Sequence, residues 1–277
     1  QKSEVRSQKS EVRSQKSEVR KNMSVRAQSR TKINSKMDLK IFKDKQEVAK
    51  QFSSYFVDQL KDKDVFHVAL SGGSTPKIVF DVLAEKFSDK VDWSKVHFYW
   101  GDERFVPPSD DESNYKMTVD HLFSKIEVPK ENINRILGEK NPVNEAMRYA
   151  NLLEIDLDRV EGIPQFDLVI LGMGDDGHTA SIFPYQIELW NSEDHCVVAT
   201  HPDSGQKRVS INGKVINTAK EVAFLVTGAS KAEKVEAMVQ KTEGFEAYPA
   251  SLVKPSSGNL VWFLDEEAAS KLNQNPS

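Results

Sequence analysis

The sequence predicts an α/β protein in which helices cover both faces of a mostly parallel sheet. From Met37 onward, short apolar runs alternate with segments of helical period, which is typical of βαβ units. One of these runs, Asp167–Leu171, is short, apolar and bounded by a glycine, as strands buried on both faces are. No linker-like stretch divides residues 37–277, so we expect a single domain there.

Apolar residues spaced three and four apart predict the helices. In the first helix, Glu47–Leu60, one face carries Val48, Phe52, Tyr55, Phe56 and Leu60. The second begins around Pro76, and its apolar face carries Val79, Val82, Leu83 and Phe87. The later predicted helices are Lys116–Ser124, Val143–Val160, Lys231–Val239 and Glu266–Leu272.

Short apolar runs between polar or glycine-containing segments predict the strands. In chain order they are Val65–Leu70, Val96–Trp100, Asp167–Leu171, Val197–Ala199, Val209–Ile211, Val222–Val226 and Leu260–Leu264. Ligands of such sheets bind in the crevice at the carboxyl ends of the strands. The residues that follow each strand are therefore the first candidates for a functional site.

Residues 1–36 are predicted to be a disordered, basic tail that takes no part in the fold. The chain opens with three copies of a seven-residue unit, QKSEVRS, QKSEVRS and QKSEVRK. Each copy has one apolar residue, whereas the seam of a coiled coil needs two per heptad. Low-complexity disorder is the simpler interpretation. A transit peptide is the alternative, although the repeated glutamates argue against it.

Charge and composition exclude several classes of function. The net charge is −4, but residues 1–36 carry +8, which leaves −12 on residues 37–277 and argues against nucleic acid as a partner. No apolar run approaches the ~20 residues of a membrane helix, and we see no secretory signal, so we expect a cytoplasmic protein without a membrane partner. The single cysteine, Cys196, excludes an intrachain disulfide and a four-cysteine zinc site.

The segment Ser71–Pro76 has the features of a phosphate-binding loop. Thr75 followed by Pro76 predicts a helix with a threonine N-cap. Gly72, Gly73 and Ser74 would expose backbone N–H groups where the helix dipole favours an anion. The alternative is a tight turn that merely needs glycine. A nucleoside triphosphate is not expected, because the lysine of a Walker A loop is missing.

Charged residues follow three other predicted strands or enter them. Trp100–Pro107 places Asp102 and Arg104 directly after a buried strand, and an arginine there can hold a phosphate or carboxylate with two hydrogen bonds. Lys231 follows the glycine turn after Val222–Val226, and Arg208 enters the Val209 strand. For each cation, the alternative is an ordinary solvated side chain.

The glycine-rich turn after Asp167–Leu171 predicts the catalytic centre. Gly172–Gly177 matches the G-x-G-x-x-G pattern of dinucleotide sites, but His178 follows at once and Pro184 interrupts the helix that such a site needs. We therefore interpret the turn as centred on His178, which can transfer protons near neutral pH beside Asp176. A structural histidine is the alternative. The other histidines lack the spacing of a metal site.

Seven segments form an ordered set: SGGSTP (71–76), WGDERFVP (100–107), SNY (113–115), LGMGDDGHTASIFP (171–184), NTAKEVAFLVTGASKA (217–232), YPAS (248–251) and WFLDEEAA (262–269). In this order and approximate spacing they resemble the 6-phosphogluconolactonases. The resemblance extends from about Met37 to Leu272. It implies a modified Rossmann-like, three-layer α/β sandwich that is shared with glucosamine-6-phosphate deaminases.

The resemblance also implies an activity and a set of site residues. The activity is hydrolysis of 6-phospho-D-glucono-1,5-lactone to 6-phosphogluconate, in the oxidative pentose phosphate pathway, without metal or cofactor. By resemblance, His178 is the base, and Arg104 and the Gly72–Thr75 loop belong to the site. Arg208 and Lys231 match the cations of the phosphate site. The expected partner is this small sugar-phosphate lactone, and the chain is expected to act as a monomer.

The chemistry of a lactone is compatible with these residues. A lactone is an activated ester, so water activated by His178 can open it without a covalent intermediate. Asp176 or Asp102 would orient the imidazole or the water, and Arg104 or a backbone N–H would stabilise the oxyanion. A deaminase of the same fold is the first alternative. In the deaminase pattern DGHIAFNEP a carboxylate follows the histidine, but no carboxylate follows His178 at a similar distance here. A non-catalytic sugar-phosphate sensor is the second, and it would not need His178.

Overall fold

Six parallel strands form the centre of the structure, a computed structural model that describes residues 37–272. The predicted tail, residues 1–36, lies outside the described residues, as do residues 273–277. The order of the strands in the sheet is β1-β11-β10-β7-β2-β3, and all neighbouring pairs are parallel. Their bounds are β1 Asp38–Phe42, β2 Phe66–Leu70, β3 Val96–Trp100, β7 Leu168–Leu171, β10 Val222–Val226 and β11 Leu260–Asp265.

Two smaller sheets use the remaining strands. A three-stranded antiparallel sheet has the order β4-β9-β8, and a two-stranded hairpin joins β5 to β6. Their bounds are β4 Asp102–Arg104, β5 Arg159–Val160, β6 Ile163–Pro164, β8 Cys196–Thr200 and β9 Lys207–Ile211. The strand β4 was not predicted, because three charged residues carry no apolar strand pattern.

Helices connect the strands, as the alternating pattern predicted. Their bounds are α1 Lys45–Gln59, α2 Ser74–Phe87, α3 Asn114–His121, α4 Pro142–Asp156, α5 Gly213–Thr218 and α6 Ala232–Gln240. The predicted apolar faces point inward: Phe52 of α1 and Val79 of α2 are fully or almost fully buried. Every residue of β7 and β10 is buried, as expected of strands covered on both faces. Among the described residues, no helix is both long and apolar enough to cross a membrane.

Two predicted helices are wrong in part. The segment 266–272 forms successive turns, because one backbone bond spans four residues and the next two span three, so no continuous helical ladder forms. The helix predicted as Val143–Val160 ends at Asp156. Leu157 is extended there, and the chain turns back as the β5–β6 hairpin. Apolar spacing alone does not mark these ends.

The order of the strands determines where a site can form. Strand β7 lies in the middle of the sheet, between β10 and β2. The three strands are parallel, so the loops that follow them emerge at one edge. These loops are the glycine-rich turn with His178, the Ser71–Pro76 segment and the turn before Lys231. Segments that are far apart in the chain therefore meet in one place.

Candidate active site

An open cleft of about 250 Å³ lies at this edge of the sheet. Nine of the ten predicted site residues line it: Gly72, Gly73, Ser74, Thr75, Asp102, Arg104, His178, Arg208 and Lys231. The tenth, Asp176, stands behind His178 and contacts its ring. Asn114 also lines the cleft and was not selected from the sequence, although it belongs to the SNY segment of the resemblance.

The helix in the Ser71–Pro76 segment begins two residues earlier than predicted. The N-cap is Gly73, with φ of 110°, and α2 begins at Ser74, so the predicted threonine N-cap is wrong. A side chain at residue 73 would be strained in this conformation. No side chain caps this helix, so the first N–H groups of α2 are available to bind an anion at its N-terminus. The hydroxyl of Thr75, freed from capping, bonds that of Thr227 at 2.7 Å.

Two arginines face one another across the β4–β9 pair. Arg104 and Arg208 are register partners, and both line the cleft. Neither has an ion-pair partner among residues 37–272. The Nε of Arg104 is buried without a hydrogen-bond partner in that part of the chain. Burial lowers the pKa of Arg208, and the neighbouring charge of Arg104 lowers it further. Two cations held together without a carboxylate are suited to binding an anionic ligand.

Glu103 holds the loop that follows Arg104. Its buried carboxylate accepts the backbone N–H groups of Arg104, Asn114 and Tyr115 and the hydroxyl of Ser113. Burial raises the pKa of Glu103, and these donors oppose the shift. The carboxylate also lies at the N-terminus of α3, where a negative charge is favoured. The second acidic residue of GDER is thus structural, and it positions Arg104 and Asn114 at the cleft.

The side chain of Asp102 is hydrogen-bonded to Ser181, three residues after His178. Its Oδ2 accepts the hydroxyl of Ser181 at 2.6 Å, and its backbone carbonyl accepts the amide of Asn114 at 3.1 Å. Ala180, between the bonded residues Thr179 and Ser181, has a positive φ of 48°, which is uncommon for a residue other than glycine. Asp102 contacts the turn through Ser181 and not through His178, so it does not orient the imidazole.

His178 and Asp176 form a hydrogen-bonded pair inside one tight turn. Nδ1 of His178 lies 2.6 Å from Oδ1 of Asp176, which also accepts the His178 backbone N–H at 3.0 Å. The backbone N–H of Gly174 donates to the carbonyl of His178 at 2.9 Å. A Cβ at Gly174 would overlap the imidazole, so the glycine lets the ring lie directly against the backbone.

The state of Asp176 determines which nitrogen of His178 is available. Burial raises the pKa of Asp176, but the bonds from the ring and backbone of His178 outweigh it and bring this pKa down to about 2. An ionised carboxylate accepts only, so Nδ1 carries the proton. Nε2 is then the basic nitrogen, and His178 lines the cleft. The pair has the geometry of a general base with an orienting carboxylate.

The adjacent carboxylate, Asp175, serves a different residue. It accepts Nζ of Lys231 at 2.8 Å and the hydroxyl of Ser230 at 3.1 Å. The hydrogen bond from Lys231 lowers the pKa of Asp175. Two neighbouring aspartates thus contact different residues of the cleft, Asp176 the imidazole of His178 and Asp175 the lysine after β10. The sequence left this division open.

Metal binding has no support in the described part of the chain, where no group of three or more His, Cys, Asp or Glu side chains is placed to hold an ion. His67 and His97 lie on adjacent strands with ring centroids 5.1 Å apart, away from the cleft. They were predicted to be structural strand residues.

Comparison with known proteins identifies the family. The model of the family described as glucosamine-6-phosphate isomerases/6-phosphogluconolactonase matches residues 43–262. The chain belongs to this family. Among relatives named 6-phosphogluconolactonase, one from Treponema pallidum is 46% identical over 69% of this chain and 79% of its own. One from Haemophilus influenzae is 45% identical over 73% of this chain and 85% of its own.

Solved structures of similar proteins have the same fold. The crystal structure of devB protein matches with a TM-score of 0.82 and 43% identity, over 86% of this chain and 100% of the other. The 6-phosphogluconolactonase from Trypanosoma brucei matches with a TM-score of 0.79 and 28% identity, over 86% and 99% of the two chains. The predicted fold class, a mostly parallel α/β sandwich of this family, is confirmed.

A substitution at Asp176 tests whether this carboxylate orients His178. Asp176→Asn is expected to lower kcat by ~10²–10⁴ with little change in KM, because the amide can donate to Nδ1 and stabilise the wrong tautomer. Steady-state kinetics on the lactone measure this. Asp81→Asn is the matched control, because Asp81 makes the same 2.6 Å contact with His121 away from the cleft. An equal loss in both variants would contradict the assignment.

The effect of Asp176→Asn on stability should depend on pH. The pKa of Asp176 is about 2 in the fold and ~3.9 in an unfolded chain, so its ionised form stabilises the fold above about pH 4. This contribution is lost as the pH falls through about 2. Asp176→Asn should therefore be less stable than the wild type at pH 7, and the difference should shrink towards pH 2. Denaturant unfolding at several pH values checks this, and a pH-independent difference would contradict it.

Proposed function

We propose that the protein hydrolyses 6-phospho-D-glucono-1,5-lactone to 6-phosphogluconate. The observation that carries the proposal is one cleft that holds both a base and a set of anion-binding groups. The base is His178, oriented by Asp176. The anion-binding groups are the N-terminus of α2, the pair Arg104 and Arg208, and Lys231. The names of the relatives at 45–46% identity support the same reaction.

In the proposed mechanism, His178 acts through water. Nε2 takes a proton from a water molecule while the hydroxide oxygen forms a bond to the lactone carbonyl carbon, and the carbonyl electrons move onto oxygen. A guanidinium of the arginine pair stabilises this oxyanion. When the carbonyl re-forms, the bond to the ring oxygen breaks, and His178 returns the proton to that oxygen. The new carboxylic acid then loses a proton to solvent, and no covalent enzyme intermediate forms.

The phosphate is assigned to the groups around α2. The backbone N–H groups of Ser74 and Thr75, with Arg208 and Lys231, are proposed to hold it. Asp102, fixed by Ser181, is proposed to bind the reacting water or a sugar hydroxyl. We further propose that the protein acts as a cytoplasmic monomer in the oxidative pentose phosphate pathway. Size-exclusion chromatography with light scattering tests the monomer, and a dimer at micromolar concentration would contradict it.

Deamination of an amino-sugar phosphate fits this cleft less well. That reaction moves protons between sugar carbons, and the deaminase pattern DGHIAFNEP has a second carboxylate soon after the histidine for this purpose. Asp102 is the one carboxylate that lines the cleft among the described residues, and it is already bonded to Ser181. No acid occurs from Thr179 to Pro184. These observations favour the hydrolase.

Two assays on the purified wild-type chain test the proposal. The first follows proton release from freshly generated 6-phosphogluconolactone and subtracts spontaneous hydrolysis. The second measures ammonia release from glucosamine 6-phosphate. We expect a large acceleration in the first assay and none in the second. If ammonia is released and lactone hydrolysis is not accelerated, the protein is a deaminase. If neither activity is detected, the protein binds a sugar phosphate without turning it over.

A further inference from the structure

Phe183, at the end of the catalytic turn, contacts two functional residues of the cleft. Its ring is fully buried. The Cζ of Arg208 lies 5.5 Å from the ring centroid, within the range of a cation–π contact. The imidazole of His178 lies on the same ring, with centroids 4.7 Å apart and planes inclined at 47°. A single aromatic side chain thus contacts both the base and one of the arginines.

The contact with Arg208 meets a physical need of that arginine. Arg208 is 8% exposed, is repelled by its register partner Arg104, and has no ion pair in the described part of the chain. The Nε of Arg208 donates to Oε1 of Gln206 at 3.2 Å, which holds one edge of the guanidinium. A carboxylate on its terminal nitrogens would compete with an anionic ligand. The negative face of the Phe183 ring attracts the cation without occupying those terminal N–H groups.

The contact between Phe183 and His178 acts when the imidazole of His178 is protonated during the reaction. When Nε2 takes a proton, the neutral imidazole becomes a cation. The charged and titratable groups close to that cation are Asp176 at Nδ1 and, in contact with the same Phe183 ring, Arg208 and His201. The electron-rich face of the ring attracts a cation. The same ring can therefore stabilise both the imidazolium of His178 and the guanidinium of Arg208.

We propose that Phe183 is a positioning residue that supports the phosphate-binding arginine and the catalytic base through one aromatic ring. This inference rests on the proposed lactonase function. Phe183 orders Arg208 before the ligand arrives, so it contributes to substrate affinity. It stabilises the protonated form of His178, so it also contributes to kcat. A residue that only filled the core would have neither electrostatic effect.

Fluorination of the ring tests the proposal without changing its shape. Site-specific mono-, di- and trifluorophenylalanine at position 183 weaken the negative face of the ring in steps. We expect the Kd of 6-phosphogluconate, measured by calorimetry, to rise in the same steps to roughly tenfold, or about 1.4 kcal/mol. We expect kcat to fall over the same series. With unphosphorylated gluconolactone as substrate, the fall in kcat should remain and the affinity effect should disappear.

Phe98 is the matched control. It is equally buried but packs on Trp93 and Phe123, away from the cleft. The same fluorinated series at position 98 should change neither Kd nor kcat. Phe183→Leu, which removes the aromatic face and keeps an apolar side chain, should weaken binding at least as much as trifluorination.

The outcomes separate this inference from the proposed function. A Kd and a kcat that do not respond to fluorination at position 183 would overturn the positioning role, even in an active enzyme. Absence of lactone hydrolysis in the wild type would instead overturn the proposed function. In that case, a stepwise rise in the Kd of 6-phosphogluconate would still support the contact with Arg208.

Discussion

His178→Ala is expected to lower kcat for lactone hydrolysis by ~10²–10⁴, the usual contribution of a positioned general base. The affinity for 6-phosphogluconate should stay within a few-fold of the wild type. In the proposed mechanism, the α2 N-terminus, Arg208 and Lys231 hold the phosphate, whereas His178 acts on the water. Stopped-flow kinetics on fresh lactone give kcat, and calorimetry gives the affinity. A variant with unchanged turnover would remove His178 from the mechanism.

His121→Ala provides the control for that experiment. His121 is also paired through Nδ1 with an aspartate, Asp81, at the same 2.6 Å distance, but it does not line the cleft. Loss of a His–Asp pair as such should therefore leave kcat unchanged. If His121→Ala lost as much activity as His178→Ala, the effect would be one of folding and not of catalysis.

Arg208→Met is expected to lower kcat/KM for the phosphorylated lactone by ~10–100-fold, as expected for the loss of a hydrogen-bonded contact with a charged group. With unphosphorylated gluconolactone, the same variant should lose little, because there is no phosphate for Arg208 to bind. A loss of equal size on both substrates would move Arg208 from the phosphate to the oxyanion. The comparison of two lactones thus assigns the arginine to one end of the substrate.

Although Arg208→Met should lower kcat/KM, the same substitution should make the fold more stable. Burial and Arg104 disfavour the charged form of Arg208 in the fold, so its removal should raise the free energy of unfolding. Arg135→Met is the control. Arg135 forms an ion pair with Glu139 at 2.6 Å, so its loss should lower stability slightly and leave kcat/KM unchanged. Destabilisation by Arg208→Met would contradict the inference that burial and repulsion by Arg104 make the charged Arg208 unfavourable for folding.

Much of the fold could be predicted because its signals are local. A strand buried on both faces needs a short apolar run, and Asp167–Leu171 shows it directly. The wrong secondary-structure predictions also arose from reading short stretches of sequence. The turns at 266–272 have helix-compatible spacing without a helical ladder, and Asp102–Arg104 forms a strand that no apolar pattern announces. Gly73, and not Thr75, caps α2, because a cap depends on backbone angles that the sequence does not specify.

The sequence by itself determined which loops carry chemistry. The glycines of the turns, the histidine two residues after Asp176 and the cations after the strands are placed by short-range spacing. Family motifs then indicated the reaction. For the partner of His178, the sequence offered two carboxylates, Asp176 in the same turn and Asp102 after another strand.

Only the tertiary structure decided how these loops cooperate. Arg104 meets Arg208 through an antiparallel pairing, Asp102 meets Ser181, and Thr75 meets Thr227. These partners are far apart in the chain, and the strand order that joins them is set by the burial of whole strands and not by any motif. The sequence also left open whether Asp176 or Asp102 lies against the His178 ring, and the structure places Asp176 there and Asp102 on Ser181.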